Sequence, residues 1–341
     1  MRSFLLPPLS ALYGAVVSTR TSLYSRGTFR TRRLDRPVIS IGNITAGGTG
    51  KTPMVEWVAR VLAAEQKNVC ILTRGYGRKN PGERVLVSDG KTVLTTADEA
   101  GDEPYLLATN LTGIAAVICD QDRFAAGTGA IKHLKSQCFI LDDGFQHLQL
   151  ARNLNILMID ATNPFGGGHL LPYGTLRESV QGIKRADCIV LTRTDQCDDL
   201  AAVKEAVSRF SANRPVFMSR MKTYEVTTLG GSAGELSAGA RVAAFCAIGN
   251  SNAFHRQVRQ EGFSVVYQKS FPDHHRYSQS DVNKLITKAR ESGATALLTT
   301  AKDAVKLSSL KVEMPCLVLQ IKIDIDNADN LKDMILHAAS S

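Results

Sequence analysis

Short apolar runs alternate with amphipathic, helix-like stretches over most of this chain. Each run holds four to six residues and has the β-branched, apolar composition of a buried strand. The runs of a first set are Val38–Ile41, Val69–Thr73, Ala115–Cys119, Cys138–Leu141, Ile156–Ile159 and Cys188–Leu191. Strands of this kind, separated by helices, predict an α/β fold with a parallel sheet, whose ligands bind beyond the carboxyl ends of the strands.

A second set of runs follows the segment Thr223–Gly239, which is rich in Gly, Ser and Thr and is typical of a domain boundary. The later runs are Ala243–Ile248, Ser264–Tyr267, Ala296–Thr300 and Cys316–Ile321. A chain of 341 residues is long enough for two cores. We therefore expect an N-terminal segment over residues 1–30, a larger α/β domain over 31–225, and a smaller α/β domain over 226–341 that closes over a cleft.

The segment after the first run has the strand–loop–helix context of a phosphate-binding P-loop. Its glycines let backbone N–H groups turn toward a polyphosphate, and the helix N-terminus adds positive charge. Lys51 is expected to reach the β- and γ-phosphates of ATP, and the Thr52 hydroxyl to hold Mg²⁺. Thr45 stands where the usual pattern has glycine, and a glycine-rich structural turn is the alternative interpretation. The predicted nucleotide-binding residues are Thr45, Ala46, Gly47, Gly48, Thr49, Gly50, Lys51 and Thr52.

Two carboxylates follow the run Cys138–Leu141, at the position where P-loop proteins hold magnesium. Asp142 and Asp143 are therefore candidate Mg²⁺ ligands, directly or through water. Many strands end in Asp, so this pattern alone does not indicate a metal site. It does so here because a P-loop precedes it in the same predicted domain. The sequence leaves open which of the two carboxylates contacts the metal.

Basic and aromatic residues after other predicted strands are candidate substrate contacts. Arg74 and Tyr76 lie in a glycine-containing turn after Val69–Thr73, and Arg123 follows Ala115–Cys119. Arginine binds anionic groups well because its guanidinium presents several donors. A solvated basic turn and a surface ion pair are the alternative interpretations.

Asp102 and His274 are candidate groups for proton transfer. Asp102 opens a predicted helix. An acid at that position either stabilises the helix through its interaction with the helix dipole or acts as a general base toward an attacking hydroxyl. The adjacent His274 and His275 make a poor zinc site, because neighbouring side chains point apart and no Cys or Glu completes a ligand set. A histidine there is expected to orient a carboxylate across the cleft or raise its basicity, and Lys302 to order the cleft. A surface histidine pair is the alternative.

The net charge of +9 is concentrated at the N-terminus. Residues 1–36 hold seven arginines against one acid, so the remaining chain is almost balanced, which argues against a nucleic-acid-binding face. The apolar stretch Phe4–Val17 is shorter than the ~20 residues that span a bilayer. This combination favours a helix that lies in the membrane interface with its basic flank on anionic headgroups. A cleaved signal peptide and a helix packed on the protein's own core are the alternatives.

The motifs, in their order along the chain, resemble the tetraacyldisaccharide 4′-kinases of lipid A synthesis. Thr45 belongs to this family's version of the P-loop, so the departure from the usual pattern supports the resemblance. Ser251 and Ala301 depart from the family's motifs, which puts loop details of the smaller domain in doubt. The matching segments are Ile41–Pro53, Thr73–Gly77, Gly101–Pro104, Leu141–His147, Leu171–Glu178, Ile248–Asn250, Phe271–His275 and Thr299–Lys306.

The resemblance implies a kinase that transfers the γ-phosphate of ATP to the 4′-hydroxyl of tetraacyldisaccharide 1-phosphate, forming lipid IVA. It implies Asp102 as general base, assisted by His274, with Lys51 stabilising the transferring phosphoryl group. It also implies Mg²⁺ held by Thr52 with Asp142 or Asp143. The enzyme is then expected to be peripheral, on the cytoplasmic face of the bacterial inner membrane. The implied substrate contacts are Arg74, Tyr76, Arg123, His147, Arg177 and Glu178.

Two other functions remain open at the level of sequence. A soluble P-loop kinase for a small metabolite would carry the same nucleotide motif without needing the N-terminal segment. A regulatory NTPase is faintly supported by Leu191–Asp195, which resembles a guanine-reading motif, although Arg193 replaces the usual lysine.

Overall fold

The computed structural model describes residues 6–234 and 239–340 of the chain. Over these ranges the chain forms twelve strands and ten α-helices. The strands are β1 (Val38–Asn43), β2 (Val69–Thr73), β3 (Val85–Ser88), β4 (Ala115–Cys119), β5 (Cys138–Asp142), β6 (Leu154–Asp160), β7 (Cys188–Thr192), β8 (Val216–Thr228), β9 (Arg241–Cys246), β10 (Ser264–Ser270), β11 (Ala296–Thr300) and β12 (Cys316–Ile325). The helices are α1 (Leu6–Ser25), α2 (Lys51–Ala64), α3 (Ala97–Ala100), α4 (Asp102–Asn110), α5 (Arg123–Leu134), α6 (Leu200–Ser211), α7 (Ser251–Gln260), α8 (Gln279–Glu291), α9 (Ala301–Leu307) and α10 (Ala328–Ser340).

All twelve strands belong to one sheet, in the order β10-β9-β11-β12-β8-β7-β6-β1-β5-β2-β4-β3. Neighbouring strands run parallel, except that β3 is antiparallel to β4 and β8 is antiparallel to β12. Every apolar run that the pattern assigned to a strand overlaps with one of these strands. The predicted α/β fold with a mainly parallel sheet is therefore confirmed. We call β1–β7 with their helices the P-loop half, and β9–β12 with α7–α9 the C-terminal half.

Strand β8 joins the two halves into one sheet. Its first residues pair in parallel with β7, and Ser219–Thr228 pair antiparallel with β12. The sequence analysis missed this strand because its buried and exposed residues are interspersed, as in antiparallel strands with one solvated face, and form no apolar run. Strand β8 runs through residue 225, where we expected the larger domain to end. The division of the chain into domains over 31–225 and 226–341 stays a prediction.

The core of the P-loop half lies between the sheet and helices α2 and α10. Val55, Val58, Ala59 and Leu62 form the apolar face of α2, and all four are fully buried. Helix α10 returns from the C-terminal end of the chain and adds Leu331 and Ile335, among others, to the same cluster. Because both helices pack on the strand that precedes the P-loop, the position of that loop is fixed by a close-packed core.

Helix α1 contacts the rest of the protein through polar groups. The Ser10 hydroxyl donates to the carbonyl oxygen of Leu170 (2.8 Å), and the Tyr13 hydroxyl donates to that of Arg177 (2.9 Å). On its outer side Leu9, Leu12 and Val16 are 50%, 64% and 60% exposed. The predicted apolar stretch thus forms a helix, and it turns these three aliphatic side chains to solvent. None of the helices in residues 6–234 and 239–340 has both the length and the apolar character needed to cross a bilayer.

Candidate active site

A cavity of about 1170 Å³ opens between the carboxyl ends of β1, β2 and β5 and the loops of the C-terminal half. The walls include the P-loop from Ala46 to Thr52, both acids of the strand end at Asp142 and Asp143, and His274 from the C-terminal half. Among the other predicted substrate contacts, the cavity is lined by Arg74, Tyr76, Arg123, His147 and Arg177. The structure therefore gathers most of the predicted site residues around one space, at the sheet edge where α/β proteins bind ligands.

The P-loop joins β1 to α2 in the geometry of a phosphate cradle. Gly50 precedes the helix with a left-handed backbone (φ 81°), which favours glycine. The Lys51 ammonium group lies 3.1 Å from the Asn43 side-chain oxygen and 3.3 Å from Asp143. The Asn43 amide also donates to the carbonyl oxygen of Thr45 (2.6 Å). Thr45 is not among the residues with positive φ, so the usual glycine is not required there.

A turn of the C-terminal half, Ile248–Asn250, packs directly against the P-loop. A Cβ atom on Gly249 would lie 2.3 Å from the backbone nitrogen of Gly48, closer than any real contact. The Asn250 amide donates to Asp160 at the end of β6 (2.8 Å), and Asp160 also pairs with Arg193. The two halves therefore meet at the phosphate-binding loop, and only glycine fits at the point of closest approach.

The two acids after β5 have different surroundings. Asp142 is buried, and one of its oxygen atoms accepts a hydrogen bond from the Thr73 hydroxyl (2.9 Å). Burial, and then the negative charges of Glu103 and Asp143, raise the pKa of Asp142 to about 6, against the smaller effect of Lys51. Asp143 is held by Arg177 at 2.7 Å and by Lys51. Burial raises the pKa of Asp143, but these two cations outweigh that effect and hold it well below its usual range.

Asp102 and His274 come together across the two halves. The imidazole Nδ1 lies 3.1 and 3.2 Å from the two carboxylate oxygens of Asp102 at the start of α4. Gly101 allows this approach, because it has φ 92° and its Cβ position would be 2.6 Å from the carbonyl oxygen of Tyr76. The Tyr76 ring lies 4.8 Å from the His274 ring, centroid to centroid. Asp102 is only 9% exposed, and its neighbour Glu103 lines the cavity.

Two lysines of α9 complete the surroundings of Asp102. Lys302 and Lys306 place their ammonium groups 3.9 and 3.7 Å from the same carboxylate oxygen. Burial raises the pKa of Asp102, but the hydrogen bond from His274, the charge of Lys302, the charge of a protonated His274 and the charge of Lys306 lower it to about 2. The expectation that a histidine would raise the basicity of this carboxylate is wrong for this arrangement, because a donor and two cations stabilise the ionised form.

The other end of the cavity is rich in cationic groups. Burial, together with the charges of Arg123, Arg152 and Arg20, lowers the pKa of His147 to about 3, so its imidazole is neutral. Arg20 reaches this end from α1 and donates to the carbonyl oxygen of Gln146. A neutral imidazole next to several guanidinium groups suits a ligand that carries both hydroxyl groups and negative charge.

Glu178 differs from the other predicted substrate contacts. It is 4% exposed, does not line the cavity, and pairs with Arg185 (2.7 Å). Its second oxygen accepts a hydrogen bond from the Gln146 amide (2.8 Å), and Gln146 does line the cavity. The structure thus places Glu178 behind the wall of the cavity, where it orients Gln146, because a buried carboxylate paired with an arginine is satisfied within the protein.

Several residues that contact the site escaped the sequence analysis. Asn43, Asn250 and Lys306 contact site residues, although the sequence pattern gave no role to any of them. Asn43 and Asn250 each end an Ile-Gly-Asn segment, Ile41–Asn43 and Ile248–Asn250. Asn43 is the last residue of β1, and Asn250 lies in the turn after β9. For these two residues, a polar side chain at the carboxyl end of a predicted strand was the available signal.

Comparison with known proteins identifies the family. The family profile described as Tetraacyldisaccharide-1-P 4'-kinase (LpxK) matches residues 2–340. The chain belongs to this family. The resemblance seen in the motifs is confirmed, and the predicted enzyme class, a kinase, is confirmed with it.

Relatives and one solved structure match over nearly the whole chain. A Tetraacyldisaccharide 4'-kinase of Geobacter metallireducens is 45% identical over 305 residues, which cover 89% of this chain and 88% of the relative. One of Pelobacter propionicus is 39% identical over 329 residues, covering 95% and 89%. The crystal structure described as the "apo" form of LpxK from Aquifex aeolicus in complex with ATP is 32% identical, with a TM-score of 0.77 and coverage of 99% and 100%.

Proposed function

We propose that this protein is the ATP-dependent kinase that phosphorylates the 4′-hydroxyl of tetraacyldisaccharide 1-phosphate, giving lipid IVA. Family membership supports this reaction. The observation that carries it is one cavity, walled by a P-loop lysine, two acids and the imidazole that contacts Asp102, beside a helix with an exposed aliphatic face. A soluble small-metabolite kinase and a regulatory NTPase are disfavoured, because the family match covers the N-terminal helix as well as the P-loop.

The P-loop half binds ATP in this proposal. Backbone N–H groups from Gly47 to Thr52 cradle the phosphates, and Lys51 neutralises charge that develops on the γ-phosphoryl group. The donor set fits Mg²⁺, which takes few protein ligands together with phosphate oxygens and water. Consistent with this, no group of three or more His, Cys, Asp and Glu side chains forms a metal cage within the described residues. Bound Mg²⁺ would supply charge neutralisation of the phosphates.

Asp142 and Thr52 are the proposed metal-holding residues. One carboxylate oxygen of Asp142 accepts a hydrogen bond from the Thr73 hydroxyl. Its other oxygen accepts no hydrogen bond from the described residues. Asp143 instead has both oxygens engaged by Arg177, and one of them lies near Lys51. We therefore assign Asp143 to the positioning of Lys51 and Arg177 rather than to direct metal contact.

Asp102 is the proposed general base. The 4′-oxygen attacks the γ-phosphorus, the bond between that phosphorus and the β–γ bridging oxygen breaks, and the hydroxyl proton passes to the Asp102 carboxylate. A carboxylate whose pKa is about 2 is a weak base before reaction. Phosphoryl transfer depends mainly on alignment and charge neutralisation, so a base that accepts the proton late in the reaction is sufficient.

The sugar and its 1-phosphate would contact the cationic end of the cavity. Arg74, Arg123 and Arg177 supply donors for anionic and hydroxyl oxygens, while Tyr76 and the neutral His147 suit sugar hydroxyl groups. Glu178 is proposed to act through Gln146, whose amide it orients.

Helix α1 would place this cavity at a membrane surface. Its exposed Leu9, Leu12 and Val16 lie at i, i+3 and i+7, on one side of the helix. The basic flank continues after the helix with exposed Arg26, Arg30 and others, and each well-placed cation is worth about 1 kcal/mol near anionic lipid. Since the acceptor is a lipid and ATP is cytosolic, we propose a peripheral location on the cytoplasmic face of the inner membrane. Arg2 and Phe4 of the predicted segment lie outside the described residues.

An acceptor comparison tests this function. Purified protein receives γ-labelled ATP and Mg²⁺ with either acylated glucosamine disaccharide 1-phosphate in detergent micelles or the same disaccharide without acyl chains. We expect label on the acylated acceptor, little on the deacylated one, and none with a Lys51→Met variant. Transfer to the deacylated sugar at an equal rate would favour a soluble sugar kinase, and ATP hydrolysis without labelled acceptor would contradict the lipid-kinase function.

A further inference from the structure

Lys302 contacts four side chains at and around the proposed base. Its ammonium group lies 2.9 Å from Glu103, 3.3 Å from Asp273 and 3.9 Å from Asp102. It also lies 3.3 Å from Nε2 of His274, the ring nitrogen that faces away from Asp102. The side chain is 13% exposed and comes from the first turn of α9, so it reaches across to α4 of the P-loop half.

These contacts determine where the imidazole carries its proton. Burial lowers the pKa of Lys302, but Glu103, Asp102 and Asp273 outweigh it and raise that pKa, so the ammonium stays charged. An ammonium group only donates hydrogen bonds. Nε2 must therefore present its lone pair to Lys302, and the proton must reside on Nδ1, which faces the carboxylate oxygens of Asp102. One neutral tautomer satisfies both neighbours, whereas an imidazolium would direct an N–H group at the ammonium.

We propose that Lys302 is a positioning residue that fixes His274 as the neutral tautomer protonated at Nδ1. His274 then acts on Asp102 as a hydrogen-bond donor, and it does not take the substrate proton. This inference rests on the proposed function only in assigning the proton acceptor: the 4′-hydroxyl proton goes to the Asp102 carboxylate, and the proton on Nδ1 stays in place throughout.

The remaining neighbours of His274 show what loss of Lys302 would do. Asp102 and Glu103 face the site from α4, and Asp273 precedes His274 in its own loop, with its carboxylate 3.9 Å from Nε2. The Tyr76 ring is the other group in contact among the described residues. Lys306 contacts Asp102 but not the imidazole. Without Lys302 the ring would face three carboxylates, which favours uptake of a second proton at Nε2.

Nitrogen NMR of the full-length protein, labelled with ¹⁵N-histidine, tests this inference without any substrate. Comparison with a His274→Gln variant assigns the His274 signals. In the native protein at neutral pH we expect a protonated Nδ1 and an unprotonated Nε2, because Nδ1 faces the Asp102 carboxylate and Nε2 faces the Lys302 ammonium. Under the same conditions a Lys302→Met variant should show a protonated Nε2. Lys306→Met is the matched control, because it removes a cation at a similar distance from Asp102 and should leave the tautomer native.

A native His274 with its proton on Nε2, or with both nitrogens protonated, would overturn the inference even if no variant folds. An unchanged tautomer in Lys302→Met would overturn it as well. As a second readout, Lys302→Met should lower kcat most at acidic pH, with a smaller effect on the KM for ATP. The NMR result stands apart from the proposed function, since failure to phosphorylate the lipid would leave the tautomer measurement unaffected.

Discussion

At the scale of residues, the charged side chains assigned to the chemistry are held by partners of opposite charge or by hydrogen bonds. Lys51 contacts Asp143, and Asp102 lies among His274, Lys302 and Lys306. Asp143 and His274 also have left-handed backbones, with φ of 51° and 58°. Such conformations cost about 1 kcal/mol or more for these residue types and concentrate at functional sites. The site is therefore arranged before substrate arrives, which lowers the cost of ordering it.

Replacement of the proposed base tests the role of Asp102. In Asp102→Asn we expect turnover to fall by ~10²–10⁴, the usual contribution of a general base. ATP affinity should stay close to native, because the side chain contacts the C-terminal half rather than the P-loop. Label transfer to the lipid and ATP titration measure the two effects. Asp98→Asn, at an exposed acid of the preceding helix, is the matched control, and equal turnover in the two variants would remove Asp102 from this role.

The same residue predicts a pH dependence of stability. Because the folded-state pKa of Asp102 is about 2, below the ordinary 3.8, its ionised form stabilises the fold above pH 3.8, and this contribution is lost as pH falls through about 2. The full contribution is about 2 kcal/mol. The free energy of unfolding in urea, native minus Asp102→Asn, should shrink by ~1 kcal/mol between about pH 5 and pH 3. A difference that is constant or grows on acidification would contradict the assigned surroundings.

Sequence motifs predicted the identity of the site residues better than their contacts. The P-loop and the acids at Asp142 and Asp143 could be found because each follows an apolar strand. The contacts of Lys302 and Lys306 with Asp102 could not, since these lysines are about 200 residues away in the chain and local spacing carries no information on that approach. Glu178 adjoins cavity residues in sequence but faces the interior, where Arg185 satisfies it.

At the scale of elements, the predicted strands were those with continuous apolar runs. Parallel strands buried on both faces show this pattern, and β1, β2 and β4–β7 are of that kind. Edge strand β3 and the half-exposed β8 lack it and were missed. Helix α1 was predicted from its apolar composition. Which of its side chains face outward could be seen only in the structure.

The exposed face of α1 predicts membrane binding that is separate from nucleotide binding. Changing Leu9, Leu12 and Val16 together to Ser should reduce co-sedimentation with anionic vesicles by at least tenfold, because each buried aliphatic side chain contributes about 1.5–3 kcal/mol. ATP affinity should not change. The control replaces Leu94 and Tyr224, which are exposed elsewhere, by Ser. Native vesicle binding in the triple variant would exclude α1 as the docking element.

The turn that packs on the P-loop predicts a strict need for glycine. In Gly249→Ala the new methyl group would meet the backbone of Gly48, so the turn must move away from the loop. Overpacking of this kind costs about 1–3 kcal/mol, and a cost of that size in the ATP complex corresponds to a decrease of about 5- to 150-fold in kcat/KM for ATP. Gly82→Ala, at a glycine with open space around its Cβ position, is the control. Native kinetics in Gly249→Ala would show that this contact is not part of the working enzyme.

At the scale of the whole molecule, one twelve-stranded sheet carries two sets of site residues toward each other. The P-loop half supplies the phosphate cradle and Asp102, and the C-terminal half supplies His274, Lys302 and the turn at Gly249. The sequence predicted both sets of site residues. It did not predict that one sheet joins them, because β8 has no continuous apolar run. In the proposed function the nucleotide and the lipid-linked sugar meet between the two halves, and the family match covers both halves, over residues 2–340.

The central claim is tested most directly by finding where the phosphate goes. Enzyme, γ-labelled ATP, Mg²⁺ and tetraacyldisaccharide 1-phosphate are combined for a single turnover, and the labelled lipid is fragmented and examined by mass spectrometry and phosphorus NMR. The account predicts one new phosphate monoester at the 4′-position, formed by the native protein and by Asp98→Asn but much more slowly by Asp102→Asn. Label at another hydroxyl, on the 1-phosphate, or only in free inorganic phosphate would contradict it.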